Sequence, residues 1–252
     1  GIKILYNAIN QLKWAAAERV FAPWADMEEA LRTRDVRLYT LESKTPLHQC
    51  EIVGFTLQYE LTYTNILNVL NLGGIPLHAA DRSEEDPLVI GGGPCVYNPY
   101  PLYPFFDCFY LGDGDRGVQD IAKIVREVRS TGGSRTVLLE SLATLPYVIV
   151  PGVKDEGVRR AEPHLDELPF PSAQMVPNIR TIQDRGIIEV SRGCTNGCRF
   201  CHAGMTYRPV RERSGAQIVQ LADEIVQKTG FTEISLASLS ISDYTGLAAL
   251  IK

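Results

Sequence analysis

At 252 residues with 45% hydrophobic side chains, the chain has the length for one large domain or two modest ones with a sizeable core, which excludes disorder as its default state. A net charge of −5 argues against a nucleic-acid binder that works through an overall basic surface, although a local basic patch stays compatible with it. No run reaches the roughly 18 apolar residues of a membrane span and no basic start leads into an apolar stretch, so the sequence reads as soluble and cytoplasmic.

Residues 2–20 (IKILYNAINQLKWAAAERV) space their apolar side chains at three and four, which predicts a helix already under way at the first residues. No methionine precedes it, and the chain reads as an excerpt from a longer protein. Pro23 opens a second short helix over 24–33, and 36–41 reads as a strand. Trp14, Phe21 and Trp24 fall on apolar helical faces and are assigned to the core. The run EIVGFTLQ at 51–58 predicts a strand, and 64–72 a helix stopped by Gly73 and Gly74.

That order recurs. A short strand is expected at 76–79, another at 88–90 opening into Gly91, Gly92 and Gly93, and a third at 108–111 opening into Gly112-Asp113-Gly114-Asp115 ahead of a helix over 118–128. Strands alternating with helices, with glycines after the strands, imply a parallel sheet covered on both faces, with any ligand at the carboxyl ends of its strands. A helix over 134–143 and a strand over 147–150 complete a first lobe of residues 1–150. Prolines and charges then replace periodic apolar runs over 151–184, the composition of a stiff linker in which His164 is exposed. Cys50, Cys95 and Cys108 sit in apolar contexts and read as small core residues.

Residues 185–252 begin with an apolar strand at 186–190; a helix over 217–228, a strand over 233–239 and a helix starting at 245–250 make two βα repeats. Behind the first strand lies SRGCTNGCRFCHAG, which places Cys194, Cys198 and Cys201 in a C-x3-C-x2-C spacing. Three thiols this close cannot all pair as disulfides, and a reducing compartment suits them. Gly193 and Gly197 let the backbone turn the side chains toward one object, a metal centre. A structural zinc site asks for four protein ligands, and the nearby histidine, His202, is adjacent to Cys201 and poorly placed to reach the same ion. A four-iron cluster held by three thiolates leaves one iron open to a small molecule. A zinc knuckle and a plain electron-transfer cluster remain the alternatives.

Cys194, Cys198, Phe200 and Cys201 resemble the signature of the radical SAM enzymes, which carry an aromatic residue just before the third cysteine. The resemblance implies a [4Fe-4S] cluster whose open iron is chelated by S-adenosylmethionine, with Phe200 beside the adenine. It also implies reductive cleavage to a 5′-deoxyadenosyl radical that takes a hydrogen atom from substrate, and an electron donor such as a flavodoxin or ferredoxin. Where many members have Gly-Gly-Glu after the second strand, this sequence has LASLSISD, so Ser238, Ser240 and Asp243 become the candidates for holding the methionine amino group.

Residues 36–130, with IVGFTL and LVIGGGPCVYNPYPLYPFFDCFYLGDGD, resemble the cobalamin-binding-like domain that precedes the radical SAM domain in one large subgroup. That implies an α/β fold: a Rossmann-like parallel-sheet lobe, its first strand lying upstream of this chain, followed by the start of a radical SAM β/α barrel. Thr56, Gly91, Gly92 and Gly93 would line the tail of a cobalamin if one binds. The D-x-H-x-x-G motif is absent, so a bound corrinoid would lack its protein ligand to cobalt, which weighs against occupancy.

SRGCTNGCRFC also resembles the RNA-methylthiolating subgroup, a reading that the acidic total and the lack of a visible RNA-binding module oppose. Arg180, Arg185, Arg192, Arg199, Arg208, Arg211 and Arg213 surround the cysteine loop, either to hold an anion or as a solvated face with scattered ion pairs.

Overall fold

Along β2 (Leu88–Gly92) and β3 (Cys108–Tyr110) neighbouring side chains enter different cores, because successive strand residues point to opposite faces. Leu88, Cys108 and Tyr110 pack on one side, Val89 and Phe109 on the other. Strands buried on both faces read as continuous apolar runs, which is why LVI and CFY stand out in the sequence. In the computed structural model, which describes residues 1–179 and 181–251, β1 (Ile52–Thr56), β2 and β3 run parallel, and β4 (Val148–Ile149) lies antiparallel to β3. The sheet order is β1-β2-β3-β4, so the α/β class with a parallel sheet expected from the sequence is observed, with β4 as an antiparallel edge that the sequence pattern does not predict.

After α1 (Ile2–Asn10), one face is covered by Leu31 of α2 (Ala25–Thr33) and by Ile66, Val69 and Leu70 of α3 (Tyr63–Gly73). Ile121 and Val125 of α4 (Gly114–Ser130) and Leu138 and Leu142 of α5 (Arg135–Ala143) cover the other. Beneath β2 and β3, Asp107 Oδ2 accepts from Arg82 Nη1 at 3.0 Å, Arg135 Nη2 at 2.8 Å and the Val89 amide at 2.7 Å. Both arginines spend further donors on carbonyls, Arg82 on Pro76, Leu77 and Phe105, and Arg135 on Ser83, Asp86 and Pro87. The chain from 76 to 87, whose regular structure is a single 3-10 turn at Ala79–Asp81, is therefore held by two guanidinium groups anchored on one carboxylate.

Several expectations fail for local reasons. The first helix stops at Asn10 instead of running to 20, because the Asn10 side chain pairs with both the amide and the carbonyl of Ala17 and closes a turn. Trp24 is 86% exposed, Phe21 is also exposed, and Trp14 lies on the surface under the Arg126 guanidinium, so none of the three is core. The strands expected at 36–41 and 76–79 do not form: Leu38 bonds to Leu72 and Leu47, and the carbonyls at 76 and 77 serve Arg82.

The chain divides into two units, Ile9–Arg160 and Gly1–Ala8 with Ala161–Lys252. Of the stretch 151–184, expected as a linker, residues 160–174 make specific contacts within them. In the first unit Arg160 bonds to Leu111 and accepts from Asp113; in the second Leu165 and Leu168 are buried, and the Gln174 amide pairs with the backbone of Ile187 at 2.7 and 3.2 Å. Gly112, at φ 107°, makes the first of these contacts possible, since a Cβ there would lie 2.0 Å from the Arg160 carbonyl oxygen. Gly112→Ala should cost at least about 2 kcal/mol from the unfavourable backbone torsion and the steric clash. Urea unfolding that left the midpoint unchanged would refute the argument.

In the second unit β5 (Gly186–Glu189) and β8 (Ile234–Ala237) are parallel and joined through α7 (Gly215–Thr229). Ile188, Val190, Ile218, Leu221 and Ile225 form the core between them, followed by α8 (Leu247–Leu250). Ser214 caps α7 by accepting from the Gln217 amide at 3.2 Å. Its replacement by alanine should cost about 1 kcal/mol, readable as a lower thermal midpoint. Among the described residues no helix is long and apolar enough to cross a membrane.

Candidate metal centre

The cysteine loop is built on the carboxyl end of β5. After Val190, whose amide bonds to Ala237 beside it, the chain makes the short strand β6 (Ser191–Arg192). It returns in β7 (Arg211–Glu212), antiparallel to β6 through Ser191 with Glu212 and Arg192 with Arg211. Residues 193–210 are thus a loop closed at its base by a two-stranded ladder. Between the strands lies only α6 (His202–Thr206). Gly193, at φ 92°, starts the loop where any Cβ would press on the carbonyls of Tyr207 and Pro209, 2.6 Å away.

All three loop cysteines are free, with Cys194 and Cys201 half-buried and Cys198 exposed. Cys198 O accepts from the Cys201 amide at 3.0 Å, which bends the chain between the second and third thiols. Cys201 Sγ accepts from the Gly204 amide at 3.3 Å, and Cys194 Sγ from the Asn196 side-chain amide at 3.4 Å. Among the described residues no three His, Cys, Asp or Glu side chains have already converged as a metal-ligand set. The three thiols fit an iron–sulfur cluster by donor chemistry and spacing, and two of them already have N–H donors. Phe200 is 92% exposed.

Beside Cys194 a polar hollow of about 380 Å³ is lined by Gly193, Thr195, Glu212, Ser240, Asp243 and Thr245 among others. Ser240 and Asp243 come from the turn that follows β8. Hydrogen bonds from the Ser240 hydroxyl and the Asn196 amide hold the Asp243 carboxyl below the usual carboxylate range, so it is charged at neutral pH. Ser238 Oγ, just past the end of β8, is buried without a hydrogen-bond partner. Of the residues nominated from sequence, Cys194, Ser240 and Asp243 are brought together here. Asn196, Glu212 and Thr245 join them unannounced; the Thr245 amide bonds to Glu212 Oε1 at 2.9 Å. A second hollow, of about 490 Å³, is lined by Thr195, Arg208, Pro209 and Val210.

Much of the arginine cluster is engaged with the protein itself. Arg192 pairs with Glu189 at 2.7 Å and Arg185 with Glu233 at 3.6 Å. Arg213, 2% exposed, donates to the carbonyls of Glu189 and Leu165, and buried Arg211 to those of Glu162, Tyr207 and Pro209. Arg208 Nε donates to Gly204 O. Arg180 lies outside the described residues.

In the other unit Thr56 and Gly92 are register partners at the carboxyl ends of β1 and β2. The glycine trio has divided roles. A Cβ at Gly91 would meet Leu57 and Phe109 at 2.9 and 3.0 Å, and one at Gly93 would meet the Leu57 carbonyl at 2.8 Å, whereas Gly92 faces open space. Gly91 and Gly93 therefore serve packing and a tight turn. Thr56 Oγ1 accepts from the Gln58 amide at 2.6 Å.

Comparison with known proteins gives two family matches. The description "Radical SAM proteins, N-terminal" matches residues 1–151, and "Radical SAM superfamily" matches residues 188–252. An uncharacterized protein of Methanocaldococcus jannaschii is 27% identical over 222 residues, which cover 87% of this chain and 45% of that protein. The chain thus spans about half the length of that curated relative. Among solved structures the fold is similar to the radical S-adenosylmethionine methyltransferase TsrM from Kitasatospora setae. The form with tryptophan substrate and the SAM analog aza-SAM bound gives a TM-score of 0.54 at 16% identity, covering 96% of this chain and 45% of that one. The form with cobalamin and a [4Fe-4S] cluster bound gives 0.55 at 15% identity, covering 98% and 46%. With more than half of its length matched by the first of these family descriptions, the chain belongs to the radical SAM proteins.

Proposed function

We propose that this chain is the amino-terminal lobe and the cluster-bearing start of the catalytic barrel of a radical SAM enzyme. The observation that carries the reading is the C-x3-C-x2-C loop with three free thiols at the carboxyl end of a parallel strand, where β/α folds place their chemistry. Cys194, Cys198 and Cys201 hold a [4Fe-4S] cluster. When bound and reduced, by a small redox protein such as a flavodoxin or ferredoxin, the cluster supplies the electron that splits S-adenosylmethionine into methionine and a 5′-deoxyadenosyl radical.

The remaining residues bind and orient. Asp243, charged at neutral pH, and Ser240 face the hollow beside Cys194 and receive the ammonium of the methionine moiety, with the unpartnered Ser238 hydroxyl next to them in sequence. Phe200, exposed on the loop, covers the adenine. Because the Asp243 carboxyl titrates below its ordinary range, its contribution to binding is present above that range and fades only as acid protonates it.

The amino-terminal unit fits a corrinoid only in part, since Thr56 and Gly92 face outward while Gly91 and Gly93 are occupied by their own neighbours. Equilibration with hydroxocobalamin followed by desalting tests it, and a retained corrinoid absorbance would assign the group.

The enzyme reading is tested on the full-length protein, reconstituted anaerobically with iron and sulfide, reduced with dithionite and given S-adenosylmethionine. About four irons per chain and accumulation of 5′-deoxyadenosine are expected. A loaded cluster that leaves the cofactor intact would make the domain a binding or electron-transfer module, and one zinc without iron would make the loop structural.

A further inference from the structure

Of the three residues between the first two cysteines, Asn196 does more than fill space. Asn196 Nδ2 lies 3.4 Å from Cys194 Sγ, 2.8 Å from Asp243 Oδ2 and 3.5 Å from Ser240 Oγ. Its partners belong to two different loops: Cys194 follows β6 at the end of β5, and Ser240 and Asp243 follow β8. The two strands are parallel neighbours with Glu189 opposite Ala237, so both loops leave the same edge of the sheet. Gly197, at φ 65°, turns the chain just after Asn196. An amide nitrogen has two hydrogens, enough to serve a sulfur and a carboxylate at once.

We propose that Asn196 is a positioning residue that couples the cluster loop to the ligand-holding turn after β8, and that it tunes the cluster through its hydrogen bond to the Cys194 sulfur. The inference rests on the radical SAM reading above. An N–H donor to a cluster sulfur stabilises the reduced, more negative state and raises the reduction potential. The same amide fixes Asp243, so loss of the side chain also leaves the ligand-facing carboxylate without one of its two holders.

The chemistry sets an order among variants. N196A removes the donor to the sulfur and to the carboxylate. N196D keeps the size but sets a carboxylate against Asp243 and against a thiolate. The measurement is made on the full-length protein reconstituted anaerobically, with iron and sulfide counted, the cluster's midpoint potential followed by EPR-monitored titration, and S-adenosylmethionine affinity read from its perturbation of the EPR spectrum.

The potential should fall from wild type to N196A and again to N196D, and cofactor affinity should weaken about fivefold in N196A, equivalent to about 1 kcal/mol. Loss of iron uptake by a variant whose apo-form melts like wild type also supports the coupling. Equal iron, potential and affinity in both variants overturns it, and so does iron loss explained by a lower melting temperature of the apo-form, which marks Asn196 as only structural. A wild type that takes up no iron or makes no 5′-deoxyadenosine refutes the enzyme reading itself, a result distinct from any difference among the variants.

Discussion

Full-length protein carrying Cys198→Ala, reconstituted anaerobically, should retain less than a tenth of the iron held by wild type and form no detectable 5′-deoxyadenosine. In the proposed site three thiolates would hold three of the four irons, and among the described residues no histidine or carboxylate completes a converged set with them. Removal of one ligand leaves a cluster held by two residues on an exposed loop. Cys108→Ala supplies the contrast. Cys108 is completely buried, and burial pushes its thiol far above the ordinary range, so it is neither a thiolate nor within reach of solvent iron. Burial likewise pushes up the Cys50 and Cys95 thiols. Iron content should therefore follow Cys194, Cys198 and Cys201 and be indifferent to the other three. Retention of full iron by Cys198→Ala would remove the cluster from this loop.

Asp107→Ala should lower the free energy of unfolding by roughly 3–5 kcal/mol, the usual consequence of leaving buried charges without their partner. Asp107 and Arg82 are almost fully buried and Arg135 nearly so, so two guanidinium groups would face each other with no carboxylate between them. Burial already pushes the Arg82 guanidinium below its ordinary value, and the adjacent Asp107 carboxylate opposes that shift. The Val89 amide would also lose its acceptor at the edge between β2 and β3. Asp107→Asn, which keeps an acceptor oxygen, should lose less. Urea denaturation compares the two, and a change under about 1 kcal/mol for alanine would mean that the node relaxes without the carboxylate.

The central elements of the first unit were legible because they obey one local rule. LVI and CFY are apolar on both faces, IVGFT is a compact run rich in apolar side chains, and Gly73-Gly74 ends α3 with Gly74 in a left-handed conformation at φ 73°. The cysteine spacing was equally local. Its three ligand candidates lie within a single turn-rich stretch, and no distant residue is needed to recognise them. The failures mark places where a side chain outbid the pattern. Asn10 closed a turn inside an apparently continuous helix, and Arg82 claimed the carbonyls that a strand at 76–79 would have used.

What the sequence determined by itself was the parallel α/β class and the identity of three metal-ligating candidates, because strand burial and motif spacing are both written in neighbouring residues. What the tertiary structure decided was the company those cysteines keep. The β6–β7 ladder at the loop's base and the reach of Asn196 to Ser240 and Asp243 span tens of residues, as do the donations of Arg211 and Arg213 to buried carbonyls. Such partnerships depend on which strand ends lie side by side, and periodicity along one chain carries no information about that.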